Sequence, residues 1–386
     1  MELKKLGEIF KITSGSTPSK KNREFYEGGS IPWIKTGDLK KKYLNDSAEY
    51  ITELALNNSS VKKFPKNTVL IAMYGATIGA TSILKIDATT NQACAAFLPN
   101  DLVIPEYLYY FFKANKKKII NLGVGGAQPN ISGTILKEIE FPLCSIETQN
   151  KIVEVLDKAQ DLIDKKIEQI DLLDELVKSR FIEMFGNVIS NSKHWKMKQL
   201  KDIAILKSGG TPSRKEPKYF QGEIPWITTV SLGKNIIDEN DAVEFITQEA
   251  IEKSSTKLIE SNSLLFGMRV GVGKISINKI PMCTNQDIVA ITKIDENEYN
   301  LICLKKIIEN YSDYFNNQKR GATIQGIKSE TLKNINIPIL PIELQNEFAV
   351  FVEKIDSIKA AAEKSLEQLN DNFNSLIQKA FKGELF

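Results

Sequence analysis

An internal repeat restricts this chain of 386 residues to folds built from two similar halves. Ser-Gly-Ser-Thr-Pro-Ser at 14–19 returns as Ser-Gly-Gly-Thr-Pro-Ser at 208–213, an offset of 194. Ile-Pro-Trp-Ile, first at 31–34, and Thr-Asn-Gln, first at 90–92, return in the same order and within a residue or two of the same offset. Self-similarity over this length indicates a duplicated unit, so an element assigned to one half should recur in the other.

A long amphipathic segment ends the first half. From 146 onward no proline or glycine occurs before Gly186, and apolar residues recur in steps of three or four. This spacing predicts one uninterrupted helix with a narrow apolar stripe, roughly 60 Å long at 1.5 Å per residue. Glu147 suits the first turn and Gly186 the end of such a helix. The predicted stripe comprises Ile152, Leu156, Ala159, Ile163, Ile167, Ile170, Leu173, Val177, Phe181 and Met184.

A matching segment at 342–383 ends the second half, and its opening Ile-Glu-Leu-Gln-Asn echoes Ile-Glu-Thr-Gln-Asn at 146–150. Two stripes of equal length can bury each other, which predicts a two-stranded coiled coil. An antiparallel arrangement is favoured because a large folded segment lies between the two helices. We interpret the pair as a spacer. The second stripe comprises Phe348, Val352, Ile355, Ile358, Leu366, Leu369, Phe373, Leu376 and Ala380.

Each half also carries the pattern of an α+β domain. Apolar runs at 68–74 and 81–86 predict two strands joined through a glycine-containing loop, and a helix should run from near Pro105 to Gly123. The corresponding elements of the second half are strands at 263–266 and 274–277 and a helix that begins near Tyr299.

The repeat and the helices together divide the chain into four segments. Residues 1–144 and 187–340 should form two similar mixed domains, and residues 145–186 and 341–386 should form the spacer helices. The linker at 186–192 is expected to be short. The predicted fold is therefore α+β, with two mixed domains separated by an antiparallel pair of long helices in a pseudo-two-fold arrangement.

Composition narrows the class of protein. Hydrophobic residues make up 42% and charged residues 26% of the chain, which is typical of a soluble globular protein. No apolar run approaches the length of a membrane span, and the N-terminus lacks the apolar region of a signal peptide, so we expect a cytoplasmic location and no membrane partner. The four cysteines are isolated in apolar surroundings, which indicates reduced core thiols. With His194 as the only histidine, no zinc or other metal site is expected.

The repeated motifs resemble those of a known family. Mixed domains that carry Ser-Gly-X-Thr-Pro-Ser, Ile-Pro-Trp-Ile and Thr-Asn-Gln, repeated twice and separated by long helices, are similar to the DNA-specificity subunit of type I restriction-modification systems. The ending Gln-Lys-Ala-Phe-Lys-Gly-Glu-Leu at 378–385 is similar to the ending of such subunits. The resemblance covers essentially the whole chain, in the order that the family has.

The resemblance implies a function without catalysis by this chain. Residues 1–144 and 187–340 would be target recognition domains, each for one half of a split, asymmetric site in double-stranded DNA. The helices would set the half-site spacing and dock two methyltransferase subunits, and restriction/translocase subunits would join the same assembly. S-adenosylmethionine would be bound by the methyltransferase partners, and Mg and ATP by the restriction partner, so no cofactor is expected on this chain.

The candidate DNA-binding residues lie in loops between predicted strands, in polar turns and in basic clusters. The loop at 267–274 keeps the glycines of 72–79 but changes the polar side chains, so specificity could differ there. Arginine can pair bidentately with guanine and glutamine with adenine, and basic clusters can contact phosphates. A solvated turn is the alternative for each residue. The candidates are Lys20, Lys21, Arg23, Lys35, Thr36, Tyr74, Thr77, Gln92, Gln128, Arg214, Lys215, Thr228, Thr229, Arg269, Lys274, Gln286, Arg320 and Gln325.

Other repeated residues are interpreted as structural. Trp33 and Trp226 follow a proline and precede an apolar residue, which favours packed anchors over base-stacking platforms. The glycines and prolines of the repeated motif should shape turns. These positions are Gly15, Pro18, Gly209 and Pro212.

Enzymatic alternatives find little support in the same residues. A methyltransferase acting alone would need an Asn/Asp-Pro-Pro-aromatic motif, and the chain has no Pro-Pro pair. The loop at 267–274 lacks the spacing and the Ser/Thr of a phosphate-binding loop. Two alternatives stay open on the sequence: a tandem adaptor for protein or carbohydrate, and a fused nuclease or methyltransferase with an unrecognised centre.

Overall fold

The computed structural model describes residues 1–123, 130–319 and 326–385. It divides into two compact units. The first comprises Met1–Glu168 with Glu363–Phe386, and the second comprises Gln169–Ala362. Each unit therefore contains one mixed domain together with a part of each long helix.

The mixed domain of the first unit is built from short strands and helices. Its strands are β1 (Glu2–Lys5), β2 (Ile12–Ser14), β3 (Ile31–Ile34), β4 (Tyr43–Leu44), β5 (Tyr50–Ile51), β6 (Lys63–Phe64), β7 (Val69–Ala72), β8 (Thr81–Leu84), β9 (Ala88–Thr90), β10 (Cys94–Phe97) and β11 (Glu140–Leu143). Its helices are α1 (Leu6–Ile9), α2 (Glu53–Asn57), α3 (Pro105–Asn121) and α4 (Gly133–Glu138), followed by the long helix α5 (Ile146–Phe185). Single 3-10 turns occur at Arg23–Phe25 and Thr36–Asp38.

The mixed domain of the second unit repeats this order. Its strands are β12 (Met197–Gln199), β13 (Ile205–Ser208), β14 (Ile224–Ile227), β15 (Ile236–Ile237), β16 (Glu244–Ile246), β17 (Leu258–Ile259), β18 (Leu264–Gly267), β19 (Ile275–Asn278), β20 (Met282–Thr284), β21 (Ile288–Thr292) and β22 (Asn336–Pro338). Its helices are α6 (Leu200–Ile203), α7 (Gln248–Glu252), α8 (Leu301–Glu309), α9 (Ser312–Asn317) and α10 (Ser329–Lys333), followed by the long helix α11 (Ile342–Lys382). The 3-10 turns are Pro217–Phe220, Thr229–Ser231 and Glu239–Asp241.

The two domains share one sheet topology, strand for strand. In the first, the larger sheet has the order β2-β10-β7-β8-β4 and the smaller has β5-β3-β9-β6, while β1 pairs with β11. In the second, the orders are β13-β21-β18-β19-β15 and β16-β14-β20-β17, with β12 paired to β22. The duplicated α+β fold predicted from the repeat is thereby confirmed, because side-chain patterns that recur in sequence select the same pairing twice.

The local predictions agree with the structure except at one helix. The strands predicted at 68–74 and 81–86 are β7 and β8, which pair antiparallel, and the helix predicted from Pro105 is α3. In the second domain the single helix predicted from Tyr299 is instead two, α8 and α9, separated by a turn at Asn310 and Tyr311. Asn310 uses its side chain to bond the Lys306 carbonyl at 2.8 Å, a local competition that favours helix ends.

Both long helices extend as predicted and end at glycine. Gly186 has φ of +75° and Gly383 has φ of +76°, the left-handed conformation that closes helices and that glycine adopts without steric cost. The end of α5 is also capped from the linker, since Lys193 Nζ donates to the Glu183 and Met184 carbonyls at 2.7 and 2.9 Å. Trp195 Nε1 donates to the Phe185 carbonyl at 2.9 Å. The linker is therefore packed against the helix end.

Within each unit, the parts of α5 and α11 pack along their apolar stripes. In the first unit Ile152, Leu156 and Ile163 share a core with Phe373 and Ala380. In the second, the ring centroids of Phe181 and Phe348 lie 5.4 Å apart, and Lys359 Nζ pairs with Asp174 at 2.7 Å. The partners run in opposite chain directions, as predicted. The remaining predicted residues are buried or half-buried: Ala159, Ile170, Leu173, Val177, Met184, Val352, Ile355, Leu366, Leu369 and Leu376.

Two residues assigned to the stripes were assigned wrongly. Ile167 is 44% exposed and Ile358 is 49% exposed. Alternating steps of four and three from Ile152 reach position 166 and not 167, and the same steps from Phe348 reach 359 and not 358. Each isoleucine thus lies one residue off the stripe, while Ala362 and Ile377 are buried and were not predicted.

A buried glutamine fixes each long helix to its mixed domain. Gln149 is fully buried in the first turns of α5 and accepts a hydrogen bond from the Ile104 amide at 2.9 Å. Its Nε2 donates to the Leu102 and Cys144 carbonyls at 2.8 and 2.9 Å. Gln345 in α11 makes the equivalent bonds to the Asn300 amide at 3.0 Å and to the Glu298 and Leu340 carbonyls at 2.9 Å. The Ile-Glu-X-Gln-Asn motif is therefore a structural joint.

A second polar contact joins each domain to a long helix. In the first unit Asp157 accepts hydrogen bonds from Lys42 and from Tyr110, whose side chain is fully buried. Burial raises the pKa of Tyr110, and its bond to Asp157 adds to the rise, so the phenol stays protonated. In the second unit Asn235 donates to Asp356 and accepts from the buried Lys305 Nζ at 2.6 Å. These contacts are chemically different, although they occupy comparable places in the two units.

Candidate nucleic-acid interface

The repeated motifs come together at one place in each domain. Parallel pairing of β3 with β9 sets Trp33 opposite Thr89 and Ile34 opposite Thr90, directly before the Thr-Asn-Gln turn. The Ser-Gly-X-Thr-Pro-Ser loop lies on that turn, where the Ser16 amide donates to the Thr90 carbonyl at 2.9 Å. In the second domain β14 pairs with β20, and the Gly210 amide donates to the Thr284 carbonyl at 2.8 Å.

Close backbone contact explains the glycine of the loop motif. A Cβ placed on Gly15 would lie 2.0 Å from the Thr90 carbonyl oxygen, and one on Gly209 would lie 2.2 Å from the Asn285 carbonyl oxygen. Any side chain there would push the loop off the turn. These glycines are therefore required for close approach between two segments, beyond the turn-shaping role predicted from the sequence.

The tryptophans are buried anchors beneath the loop, as predicted. Trp33 is 2% exposed and donates its indole Nε1 to the Ser16 carbonyl at 3.1 Å. Trp226 is 3% exposed and donates to the Gly210 carbonyl at 3.2 Å. Such burial leaves neither ring face free to stack on a base, and each indole nitrogen has found a partner.

A glutamine from the turn meets a threonine from the loop in both domains. Thr17 donates its hydroxyl to Gln92 Oε1, and Thr211 donates to Gln286 Oε1. Both glutamines are exposed and both threonines are half-buried. The glutamines were candidates from the sequence, whereas the threonines were missed even though they recur within the repeated motif.

A glutamate at the start of the segment that pairs with β3 or β14 binds a cation near each tryptophan: Glu49 directly precedes β5, and Glu244 begins β16. In the first domain Glu49 binds Lys35, whose Nζ lies 5.6 Å from the Trp33 ring centroid. In the second, Glu244 binds both guanidinium nitrogens of Arg214 at 2.7 and 2.6 Å, and that guanidinium lies 4.1 Å from the Phe220 ring. The Arg214 hydrogen bonds lower the pKa of Glu244 below its ordinary value, so the pair persists at neutral pH.

These ion pairs involve two of the candidate DNA-binding residues. Lys35 and Arg214 are each engaged by a carboxylate of their own domain, and Arg214 gives Glu244 one hydrogen bond from each terminal nitrogen. Each carboxylate therefore competes with any other anion for its cation. Glu49 and Glu244 were missed because the pairs form between segments 14 and 30 residues apart.

The glycine-containing loops present different side chains in the two domains. In the first, Tyr74 is half-buried, burial raises its pKa, and a hydrogen bond from Gln92 opposes that rise. In the second, the equivalent Arg269 has 55% of its side chain exposed and pairs with Asp287 at 3.2 Å. Thr77 is half-buried and Lys274 is exposed at the ends of these loops.

The remaining candidates divide by exposure. Lys20, Lys21, Arg23 and Lys215 are exposed, and Thr36 and Thr228 are half-buried. Thr229 is a correction to the predicted set, because it is 6% exposed within a 3-10 turn and offers no surface to DNA. Gln128, Arg320 and Gln325 lie outside the described residues.

The described residues that flank the two undescribed segments reach the same loops. The Ile131 amide donates to the Met73 carbonyl at 2.8 Å, and the Ile327 amide donates to the Met268 carbonyl at 2.9 Å. A Cβ on Gly326 would lie 2.8 Å from Arg269 Cγ. The residues that follow each undescribed segment therefore contact the loops at 72–79 and 267–274.

The described side chains give no support to a catalytic reading. Burial raises the pKa of Cys94 to about 12 and that of Cys283 to about 11, so neither thiol ionises readily at neutral pH. Within 1–123, 130–319 and 326–385, no three His, Cys, Asp or Glu side chains gather as a metal site. No helix of those ranges has both the length and the apolar composition needed to cross a bilayer.

The long helices carry exposed apolar side chains on the faces turned away from their stripes. In the first unit these include Leu162 and Ile167, which are 54% and 44% exposed. In the second unit they are Leu172, Leu176, Ile182, Val350 and Ile358. Exposed apolar side chains mark a protein-binding surface where they form a contiguous patch.

Two mixed domains of one topology, each followed by a long helix, define the class of fold, and the comparisons with known proteins specify the family. Residues 1–172 and 192–371 match the type I restriction modification DNA specificity domain. The chain belongs to that family. It is 30% identical over its whole length, and over 93% of the relative, to the specificity subunit of the type I restriction enzyme MjaIX from Methanocaldococcus jannaschii. It is also 35% identical, over 42% of this chain and 41% of the relative, to the specificity subunit of EcoR124I/EcoR124II from Escherichia coli.

Solved structures share the fold. A chain from a study of complex assembly and conformational transition of the type I R-M system matches with a TM-score of 0.61 and 15% identity, over 100% of this chain and 98% of that one. The S subunit of a type I restriction-modification system from M. genitalium matches with a TM-score of 0.51 and 16% identity, over 98% of this chain and 96% of that one. At this identity the likeness concerns the fold alone.

Proposed function

We propose that this chain is the specificity subunit of a type I restriction-modification complex and reads a split, asymmetric site in double-stranded DNA, one half with each mixed domain. The observation that carries the proposal is that the two domains share one framework but differ in the side chains of their loops. Both domains keep the buried tryptophan, the Thr–Gln contact and the sheet order, whereas the exposed loops differ, with Tyr74 in one and Arg269 in the other. Two similar readers with different contact residues fit two different half-sites.

The spacer helices supply the second part of the proposal. The helices α5 and α11 have 40 and 41 residues, and each is fixed to a mixed domain by a buried glutamine with three hydrogen bonds. Such joints resist rotation of a domain about its helix, since any rotation would leave buried polar groups unpaired. The unread gap between half-sites is set by this pair, on the scale of one turn of DNA, about 34 Å.

The exposed apolar residues on α5 and α11 are the docking surface for two methyltransferase subunits in this proposal, and restriction/translocase subunits join the same complex. Methyl transfer then uses S-adenosylmethionine on the methyltransferase, and cleavage uses Mg and ATP on the restriction subunit. The present chain decides where both act, and it contributes recognition and spacing only.

Exchange of the two domains tests the proposal. A variant with 187–340 placed before α5 and 1–144 placed after it keeps both helices and both readers. The selected DNA, recovered from a pool with two randomised blocks and spacers of varied length, should carry the same half-sites in exchanged order with an unchanged gap. A variant that selects the original order would contradict the assignment of one half-site to each domain.

A further inference from the structure

One side-chain contact is identical in the two domains although their neighbouring residues differ. Thr17 meets Gln92, and Thr211 meets Gln286, with the hydroxyl donating to Oε1 in both. The residues around them vary: Tyr74 corresponds to Arg269 and Ala93 corresponds to Asp287. Unlike the shared contacts of the buried tryptophans, this one ends in an exposed glutamine, so it can serve a feature that both half-sites contain.

The contact is built by the frame of the domain and points to the surface. Gly15 and Gly209 let the loop that carries the threonine lie against the turn that carries the glutamine. Both glutamines are exposed, so their carboxamides are available to a partner. The threonine restricts rotation of the carboxamide and determines which of its edges faces outward.

Hydrogen-bond capacity selects the class of partner. A carboxamide offers two acceptor sites and two donors, and the threonine hydroxyl takes one acceptor site. In the first domain Gln92 also donates to Tyr74, so one acceptor site on Oε1 and one donor on Nε2 remain. That combination matches the N6 donor and N7 acceptor of adenine in the major groove, whereas a phosphate would use the donors alone.

We propose that Gln92 and Gln286 read the same base, an adenine, in each half of the split site, with Thr17 and Thr211 as the positioning residues that orient them. This inference rests on the proposed DNA-recognition function and adds which side chains contact that base and which residues orient them. The differing residues, Tyr74 and Arg269 among them, read the positions at which the half-sites differ.

The test uses the full-length chain with the subunits that co-purify with it, and a duplex pool with two randomised blocks. Gln92→Leu should lower the preference for adenine at one position of the first half-site by about tenfold, as expected for loss of a bidentate base contact. Thr17→Val, which keeps the volume and removes the hydroxyl, should lower the same preference by about threefold, as expected for loss of one hydrogen bond. The second half-site should be unchanged in both.

Matched variants separate orientation from folding. Thr17→Ser retains the hydroxyl and should restore the adenine preference. Thr211→Val should produce the same loss in the second half-site only, so each domain is the internal control for the other. Thermal unfolding of every variant shows whether a change in base preference accompanies a change in stability.

Three results would overturn the inference. The first is weaker binding by Thr17→Val or Gln92→Leu to all sequences alike, with a lower salt dependence, which indicates a phosphate contact. The second is reduced stability with unchanged base preferences, which indicates a structural tie. The third is a wild-type selection whose two half-sites share no adenine. A wild-type chain that selects no two-part sequence would instead remove the proposed function itself, and the inference with it.

Discussion

At the scale of single residues, the domain surface shows how a charged side chain can be exposed and yet engaged. Arg214 follows the repeated loop motif, which made it a candidate for phosphate contact, but both of its terminal nitrogens bind Glu244. Lys35 is engaged by Glu49 in the first domain. In each domain one carboxylate therefore competes with DNA for a cation beside the buried tryptophan.

Removing the charge of that carboxylate should release the cation. With Glu244→Gln, Arg214 loses its ionic partner, and we expect tighter DNA binding with a steeper salt dependence, by about 0.9 in the slope of log K against log salt for one added phosphate contact. Affinity for the selected duplex, measured across a series of salt concentrations, checks this.

Glu49→Gln makes the same change beside Lys35 in the first domain and should have the same effect, whereas the control lies elsewhere. Glu252→Gln alters an exposed glutamate of α7 and should leave the slope unchanged. An unaltered slope for Glu244→Gln would mean that the freed guanidinium does not reach the backbone of the DNA.

At the scale of elements, the attachment of each long helix depends on one buried carboxamide. Gln149→Ala would leave the Ile104 amide and the Leu102 and Cys144 carbonyls without the partner that the buried glutamine supplies. We expect a loss of about 3 kcal/mol in the free energy of unfolding, because each unsatisfied buried group costs part of its hydration energy. Urea unfolding followed by circular dichroism measures the loss.

The neighbouring Asn150 gives the matched control. It is exposed on the same turn of α5, so Asn150→Ala should change the free energy of unfolding by less than about 0.5 kcal/mol. Gln345→Ala in α11 should reproduce the effect of Gln149→Ala. Equal, small effects at 149 and 150 would show that the joint contributes little to stability.

At the scale of the whole molecule, the length of the helix pair should determine the gap between half-sites. Deletion of 165–171 from α5 and of 360–366 from α11 removes one heptad from each and keeps the apolar stripes in register. Each helix shortens by about 10 Å, so the tolerated gap should shrink by about three base pairs while both half-sites stay the same. Selection from pools with spacers of varied length measures the gap.

Insertion of one heptad at the same two places is the complementary variant, and it should lengthen the tolerated gap by a similar amount. Loss of a half-site with the gap unaltered would contradict the role of the helices as a spacer. A variant that unfolds is identified by circular dichroism before selection.

Much of this architecture could be predicted from residue patterns alone. Steps of three and four between apolar residues located both long helices, and glycine at 186 and 383 marked their ends, because helix geometry imposes that period and glycine tolerates the closing conformation. The repeat predicted the common topology of the two domains. The errors at Ile167 and Ile358 arose because a step of three or four is looser than a strict heptad, and one residue turns the side chain by about 100°.

What the sequence by itself determined is the set of local and periodic features: the duplication, the helices, the strands and the isolated cysteines. Only the tertiary structure decided which polar side chains meet. Thr17 and Gln92 are 75 residues apart, Arg214 and Glu244 are 30 apart, and Gln149 bonds a loop 45 residues upstream. Periodicity arises from one helix or strand at a time, whereas these contacts depend on how separate elements pack, so no local pattern encodes them.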